Sequence, residues 1–189
     1  SLKYWLPLFG LYTGATIAEL CQLHTNDVYE HPAPDGSLHW VIDINDDKEK
    51  RLKNKYRARL IPIHKNLIAL GLPAYISTLK NKNEEKLFPT ALRKNGHFGT
   101  ESQWWGDYSG DAGVTSKDVV FHSFRHCLCT YLSDNHIDEG LVTAISGHSY
   151  TSMAKTTYYR KDKRGQNIAP LIEVINSIDY GLNHPPFKL

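Results

Sequence analysis

Several polar residues in this chain have the types and order needed to attack a phosphodiester. His122, Arg125 and His126 stand in one run, His148 follows Gly147, and Tyr158 and Tyr159 come ten and eleven residues after His148. A phenol ionises near pH 10, so tyrosine is a poor nucleophile at neutral pH unless cations stabilise the phenolate. An arginine offers two phosphate oxygens a bidentate fork, and a histidine can donate a hydrogen bond or relay a proton. His122 falls where a helix is predicted to begin and Arg125 lies three residues on. Both side chains then sit near a helix N-terminus, where free backbone N–H groups and the dipole favour phosphate. Each residue alone has a plainer reading: His122 and His148 as helix caps, Arg125 in a surface ion pair, the tyrosines as packed aromatics. The combination points to chemistry.

The elements that must position these groups follow from periodicity. Tyr4 to Leu11 reads as a buried helix ending at the Thr13-Gly14 turn, and Ala15 to Leu23 as a second, with Ile17, Leu20 and Cys21 as its buried stripe. Val28-Tyr29 begins an extended segment, and the run from His31 to Gly36 reads as a turn. Leu38 to Ile44 alternates, with Trp40, Ile42 and Ile44 on one face. A charged tip from Asp46 to Lys55 leads to a return strand from Arg57 to Ile63. Helices are expected over Lys65 to Leu70, Leu72 to Lys80, Thr100 to Ser109, Ser123 to Asp134, Asp138 to Ile145 and Ile168 to Ile178, with Ser152 to Arg160 ambiguous. The Pro-rich tail from Asp179 is expected to be mobile or dependent on a partner. The fold class is α+β, mostly α, with helices around one small antiparallel sheet.

Composition bounds the function less than the pattern does. The 189 residues suit a single domain with a sizeable core; hydrophobic residues make up 41%, charged residues 22%, and mean hydropathy is −0.44. No run of apolar residues is long enough to span a membrane, and the first residues lack the order of a signal peptide. The absence of an initiator Met suggests a piece of a longer protein, with N-terminal domains missing. A net charge of +2 is weak evidence for a nucleic-acid partner; the clusters from Lys48 to Lys65 and Arg160 to Arg164 say more. Cys21, Cys127 and Cys129 make no disulfide framework and are expected to be buried, reduced thiols of a cytoplasmic protein. A metal-dependent hydrolase built on His122, His126 and His148 is a poor alternative, because paired carboxylates and a His-Glu-x-x-His helix are lacking.

Four ordered pieces resemble the catalytic domain of the tyrosine recombinases, the phage-integrase family: Gly10 to Leu23, Arg59 to His64, His122 to His126, and Gly147-His148 to Tyr158. The resemblance runs from Trp5 to Lys163 and implies a recombinase catalytic domain over 1–178 followed by a tail over 179–189. It implies site-specific cleavage and rejoining of double-stranded DNA through a 3′-phosphotyrosyl link, with no metal or other cofactor. Arg125 is similar to the family's second catalytic arginine, His122 to the histidine before it, and His148 to the His-or-Trp that contacts the scissile phosphate. Lys53, with Lys55 as alternative, resembles the hairpin lysine that protonates the leaving 5′ hydroxyl. Glu19 resembles the acidic residue supporting the site from behind. Tyr158 is the preferred nucleophile, with Tyr159 open. Arg57, Arg59, Lys161, Lys163 and Arg164 would grip flanking phosphates. The resemblance further implies a tetramer on DNA for the full-length protein, a monomer for the isolated domain, no membrane, and a bacterial, nucleoid-associated, cytoplasmic setting in a phage or mobile element.

One position departs from the family's pattern. In the motif Thr-Gly-x-Arg the first catalytic arginine would fall at 16, and this chain reads Thr13-Gly14-Ala15-Thr16. Threonine carries no charge, and losing a fixed cation from a water-excluded site costs on the order of 10²-fold or more in rate. Arg57 or Arg59 could substitute. The alternative to an active recombinase is a catalytically inactive DNA-binding remnant of the same fold.

Overall fold

A computed structural model describes residues 1–53, 57–147, 168–185 and 187. The chain opens on α1 (Leu2–Thr13), whose Trp5, Leu6, Phe9 and Tyr12 are fully buried at the centre of the core. The helix stops at Gly14, which adopts φ +60° and returns its N–H to the carbonyl of Gly10. Thr13 completes the stop: its hydroxyl donates to the carbonyl of Phe9 and accepts from the N–H of Ala15. The second helix, α2, is shorter than the spacing predicts, Ile17–Cys21 instead of Ala15 to Leu23. Thr16 ends the extended approach and caps it, so helix cannot begin before residue 17.

Strands β1 (Val28–Pro32), β2 (Leu38–Ile44) and β3 (Arg59–Pro62) form an antiparallel sheet in that order, with Val28 opposite Ile42 and Ile44 opposite Arg59. Strand β2 buries residues of both faces in its second half. Ile42 and Ile44 join the main core, while Val41 packs with Leu60 and Ile168 on the other side. The charged tip after β2 is tied down before it leaves the described residues. Lys50, 6% exposed, bonds both oxygens of Asp27 at 2.7 and 2.8 Å. Gln22 exchanges two hydrogen bonds with the backbone of Arg51, at 2.9 and 3.1 Å. A buried cation needs such a partner, because desolvation without one costs several kcal/mol.

The remaining helices are α3 (Lys65–Ala69), α4 (Leu72–Asn81), α5 (Gly99–Asp111), α6 (Ser123–Asp134), α7 (Glu139–Ser146) and α8 (Ala169–Ser177). The chain is thus mostly α with one small sheet. Buried His64 links three of its parts. It accepts from the N–H of Asn66, donates through Nε2 to the carbonyl of Ile178, and stacks on Tyr12 at 4.2 Å. Helix α6 buries Arg125, Leu128 and Leu132, which leaves Cys127 on its outer face. Only Cys21 of the three thiols is buried, contrary to expectation. The ambiguous run from Ser152 to Arg160 lies outside the described residues.

The tail also differs from expectation. Instead of standing free, its described part lies along α1: Tyr4 donates to the carbonyl of Pro185 at 2.5 Å, Tyr180 to that of Leu11, and the Tyr12 hydroxyl meets His184 at 3.1 Å. Phe187 enters a ring of Tyr4, Trp5 and Tyr75, with centroids 5.0–5.4 Å away. Three aromatic neighbours give it more to gain from burial than from solvent.

Helix α1 crosses α6 at Gly10, where a methyl group would stand 2.8 Å from both the Phe121 and Phe124 rings. Those rings are wedged by Trp105, at 5.6 and 4.9 Å, and cannot retreat cheaply. Gly10→Val is expected to destabilise the fold by about 1–3 kcal/mol through overpacking. Urea denaturation checks this, and an unchanged midpoint would refute the close crossing.

Candidate active site

Helices α2 and α6 and strand β3 with its approach deliver charged side chains to one point. Glu19, in the first turn of α2, is 3% exposed and forms a capping box with Thr16: its Oε2 accepts from the Thr16 N–H at 2.8 Å, and the Thr16 side chain accepts from the Glu19 N–H at 3.3 Å. Three guanidiniums converge on that carboxylate. Arg59, at the start of β3, donates from Nη1 and Nη2 to its two oxygens at 3.2 Å each. Arg57 donates to Oε1 at 3.4 Å, and Arg125 of α6 places Nη1 3.9 Å from Oε2.

The two buried arginines also satisfy helix ends. Arg125 donates to the carbonyl of Gly14 at 3.1 Å, just past the end of α1. Arg59 donates from Nε to the carbonyl of Ile145 at 2.7 Å, in the last turn of α7. Helix C-termini carry unpaired carbonyls and partial negative charge, so each guanidinium completes backbone that would otherwise be buried unpaired. Gly147 makes the second arrangement possible. Its φ of +73° terminates α7, and a methyl group there would lie 2.7 Å from Nη1 of Arg59.

Electrostatics follow from this packing. Burial alone would raise the Glu19 carboxyl, but Arg59, by charge and hydrogen bond, then the Thr16 N–H and Arg125, outweigh it and hold the group below the usual range. Burial and then the neighbouring Arg59 charge draw Arg125 down to about 10, so it keeps its proton throughout the neutral range. Burial, followed by the charges of Arg125, His126 and Arg57, lowers His122, leaving its imidazole neutral at pH 7. Among the described residues three guanidiniums thus meet at one largely buried carboxylate. That is a setting for an anion.

The residues singled out in the sequence divide into two groups. The structure brings Glu19, Arg57, Arg59 and Arg125 together, with His122 within reach of their charges. Thr16 lies beside them as the cap of α2, its hydroxyl engaged with Glu19. Lys53 is exposed, two residues past the point where Gln22 pins Arg51. His148, Tyr158, Tyr159, Lys55, Lys161, Lys163 and Arg164 lie outside the described residues. Among the described residues no group of three His, Cys, Asp or Glu side chains could hold a metal. His122 and His126 face each other edge to face, with centroids 5.0 Å apart.

Arg59, expected to grip a flanking phosphate, is 2% exposed and donates to Ile145, Arg57 and Glu19, so it organises the cluster from within. The signal was present in the run Arg59-Leu60-Ile61-Pro62: an arginine in a short apolar strand buried on both faces must find a carboxylate inside.

Glu19→Gln removes the charge that neutralises Arg59 and is expected to cost about 3 kcal/mol at neutral pH. Because the folded carboxyl titrates below its unfolded value, the charge contributes fully above the unfolded pKa and is lost as pH falls through the folded one. The stability gap between wild type and variant should hold steady from pH 8 to 6 and close in acid; a gap that widened in acid would contradict the assignment. Gly147→Ala is expected to cost at least 1 kcal/mol in thermal unfolding, from strain and the displaced Arg59.

Comparison with known proteins identifies a family. A model of the phage integrase family matches residues 4–164. The tyrosine recombinase XerD of Chlamydia trachomatis is 30% identical over 152 residues, covering 77% of this chain and 44% of that protein. The tyrosine recombinase XerA of Thermococcus kodakarensis is 28% identical over 175 residues, covering 89% and 55%. The chain thus spans about half the length of these relatives. No solved structure gives a significant match. With the matched region holding every element of the arginine cluster, the chain belongs to the phage integrase family.

Proposed function

We propose that this chain is the catalytic domain of a site-specific DNA recombinase that cleaves and rejoins strands through a 3′-phosphotyrosyl intermediate. The observation that carries the reading is the convergence of three guanidiniums on Glu19, with Arg125 and His122 at the start of α6. A phosphodiester undergoing substitution spreads negative charge over its nonbridging oxygens, and preorganised cations in a dry site stabilise that charge most. Relatives named as tyrosine recombinases support the same class of reaction.

The steps balance without an external energy source. The phenolic oxygen of Tyr158 attacks the scissile phosphorus, and the bond from phosphorus to the 5′ oxygen breaks. The leaving oxygen takes a proton from Lys53, the phenol gives its proton to neutral His122, and Arg125 and His148 hold the nonbridging oxygens. Phosphodiester bond energy is retained in the tyrosyl ester until another 5′ hydroxyl attacks it. Arg125 is 1% exposed, so phosphate reaches it through a rearrangement on DNA binding. The substrate is double-stranded DNA, bound by a tetramer of the full-length protein, with the isolated domain monomeric and Lys161 and Lys163 on flanking phosphates.

A second reading, an inactive DNA-binding remnant, is favoured by one observation: Thr16 is uncharged and its hydroxyl is committed to the α2 cap. Incubation with a nicked duplex, selected from a random pool for binding to the chain, separates the two. The recombinase reading expects a covalent protein–DNA adduct on a denaturing gel that is lost in Tyr158→Phe. Binding without adduct, even after Thr16→Arg, would establish the remnant.

A further inference from the structure

The site has no arginine on α2, yet a second fork is still at hand, and the present engagement of each guanidinium identifies it. Arg59 is excluded: Nε, Nη1 and Nη2 all donate inside the protein, to Ile145, Arg57 and both oxygens of Glu19, at 2.7–3.2 Å. Arg57 differs on each count. Its one side-chain hydrogen bond among the described residues is to Glu19, the longest of the set at 3.4 Å, and its side chain is 19% exposed against 1% for Arg59 and Arg125. Its own carbonyl accepts from Nη1 of Arg59 at 2.8 Å, which fixes the backbone from which the guanidinium projects.

Position and charge agree. Arg57 stands on Oε1 of Glu19 and Arg125 on Oε2, so the two forks sit on opposite oxygens of one carboxylate. The Arg57 charge is felt by both Arg125 and His122. Glu19 does not need Arg57 for neutrality, because Arg59 already meets both of its oxygens. A second, partly exposed guanidinium on a carboxylate already satisfied is free to exchange that weak contact for a stronger one with phosphate.

We propose that Arg57, on the approach to β3, supplies the second guanidinium for the reacting phosphate, in place of the arginine the family's motif would put at 16. The inference rests on the recombinase reading above. It makes the pairing of Thr16 with Arg57 a relocation of the cation, from the start of α2 to the strand beside it.

The test uses the full chain and the selected nicked duplex. Arg57→Ala is expected to slow adduct formation by about 10²-fold or more while moving the thermal midpoint by less than about 4 °C. Arg57→Lys should restore only part of the rate, since an ammonium lacks the fork. Should the alanine variant fold poorly, Arg57→Gln keeps a donor for Glu19 without the charge and carries the same expectation. In a Tyr158→Phe background, Arg57→Ala should reduce the slope of log affinity against log salt by about 0.9, the loss of one phosphate contact. An adduct rate within threefold of wild type, or an unchanged salt slope, overturns the proposal. If wild type itself yields no adduct, the turnover reading fails, and the salt slope alone still decides whether Arg57 holds phosphate.

Discussion

The carboxylate of Glu19 is the constraint on which the rest of the site depends. Three guanidiniums cannot share one dry pocket without a counter-charge, and Glu19 is the partner within 4 Å that all three have among the described residues. Its own position is fixed by the backbone, through the reciprocal bonds with Thr16 that open α2. A short helix of five residues, which would contribute little stability alone, therefore sets where β3 and α6 must bring their arginines.

The three arginines play distinct parts although the same carboxylate holds them. Arg59 is a buried cation whose three nitrogens all donate inside the protein, joining β3 to the end of α7. Arg125 joins α6 to the end of α1 and stands 3.9 Å from Glu19. Arg57 is the loosest and the most exposed. Two of the three are buried and the third is partly exposed. Rigid neighbours behind and an adaptable one in front reduce the reorganisation needed when charge develops.

Much of this was legible in the chain because local rules and tertiary need agreed. The strand from Leu38 to Ile44, the helix from Ser123 to Asp134 and the stop at Thr13-Gly14 follow from alternation, spacing and turn chemistry alone. Arg125 and Glu19 could be singled out because the resemblance to a family implied roles for them, and the structure brings the two within 4 Å. What was not legible depended on contacts distant in sequence. Nothing local says that Arg59 would reach 86 residues forward to the carbonyl of Ile145, or that Val41 would be covered from the side opposite the main core. The docking of the tail was hidden for the same reason: Pro-rich composition describes the tail's own preferences, not the aromatic surface of α1 that receives it.

That docking joins the two ends of the described chain to the chemistry between them. Helix α1 is a single rod. Its first turns hold Phe187 and the carbonyl of Pro185 through Trp5 and Tyr4, and just beyond its far end the carbonyl of Gly14 holds Arg125. A rod transmits displacement with little loss, because packed interiors are stiff. Whatever draws the tail away from α1, a neighbouring molecule or a cut in the chain, acts on the same body that fixes the position of an arginine in the site. Some twelve residues of helix therefore separate the aromatic ring that holds Phe187 from the carbonyl that holds Arg125, and the two contacts share one rigid body.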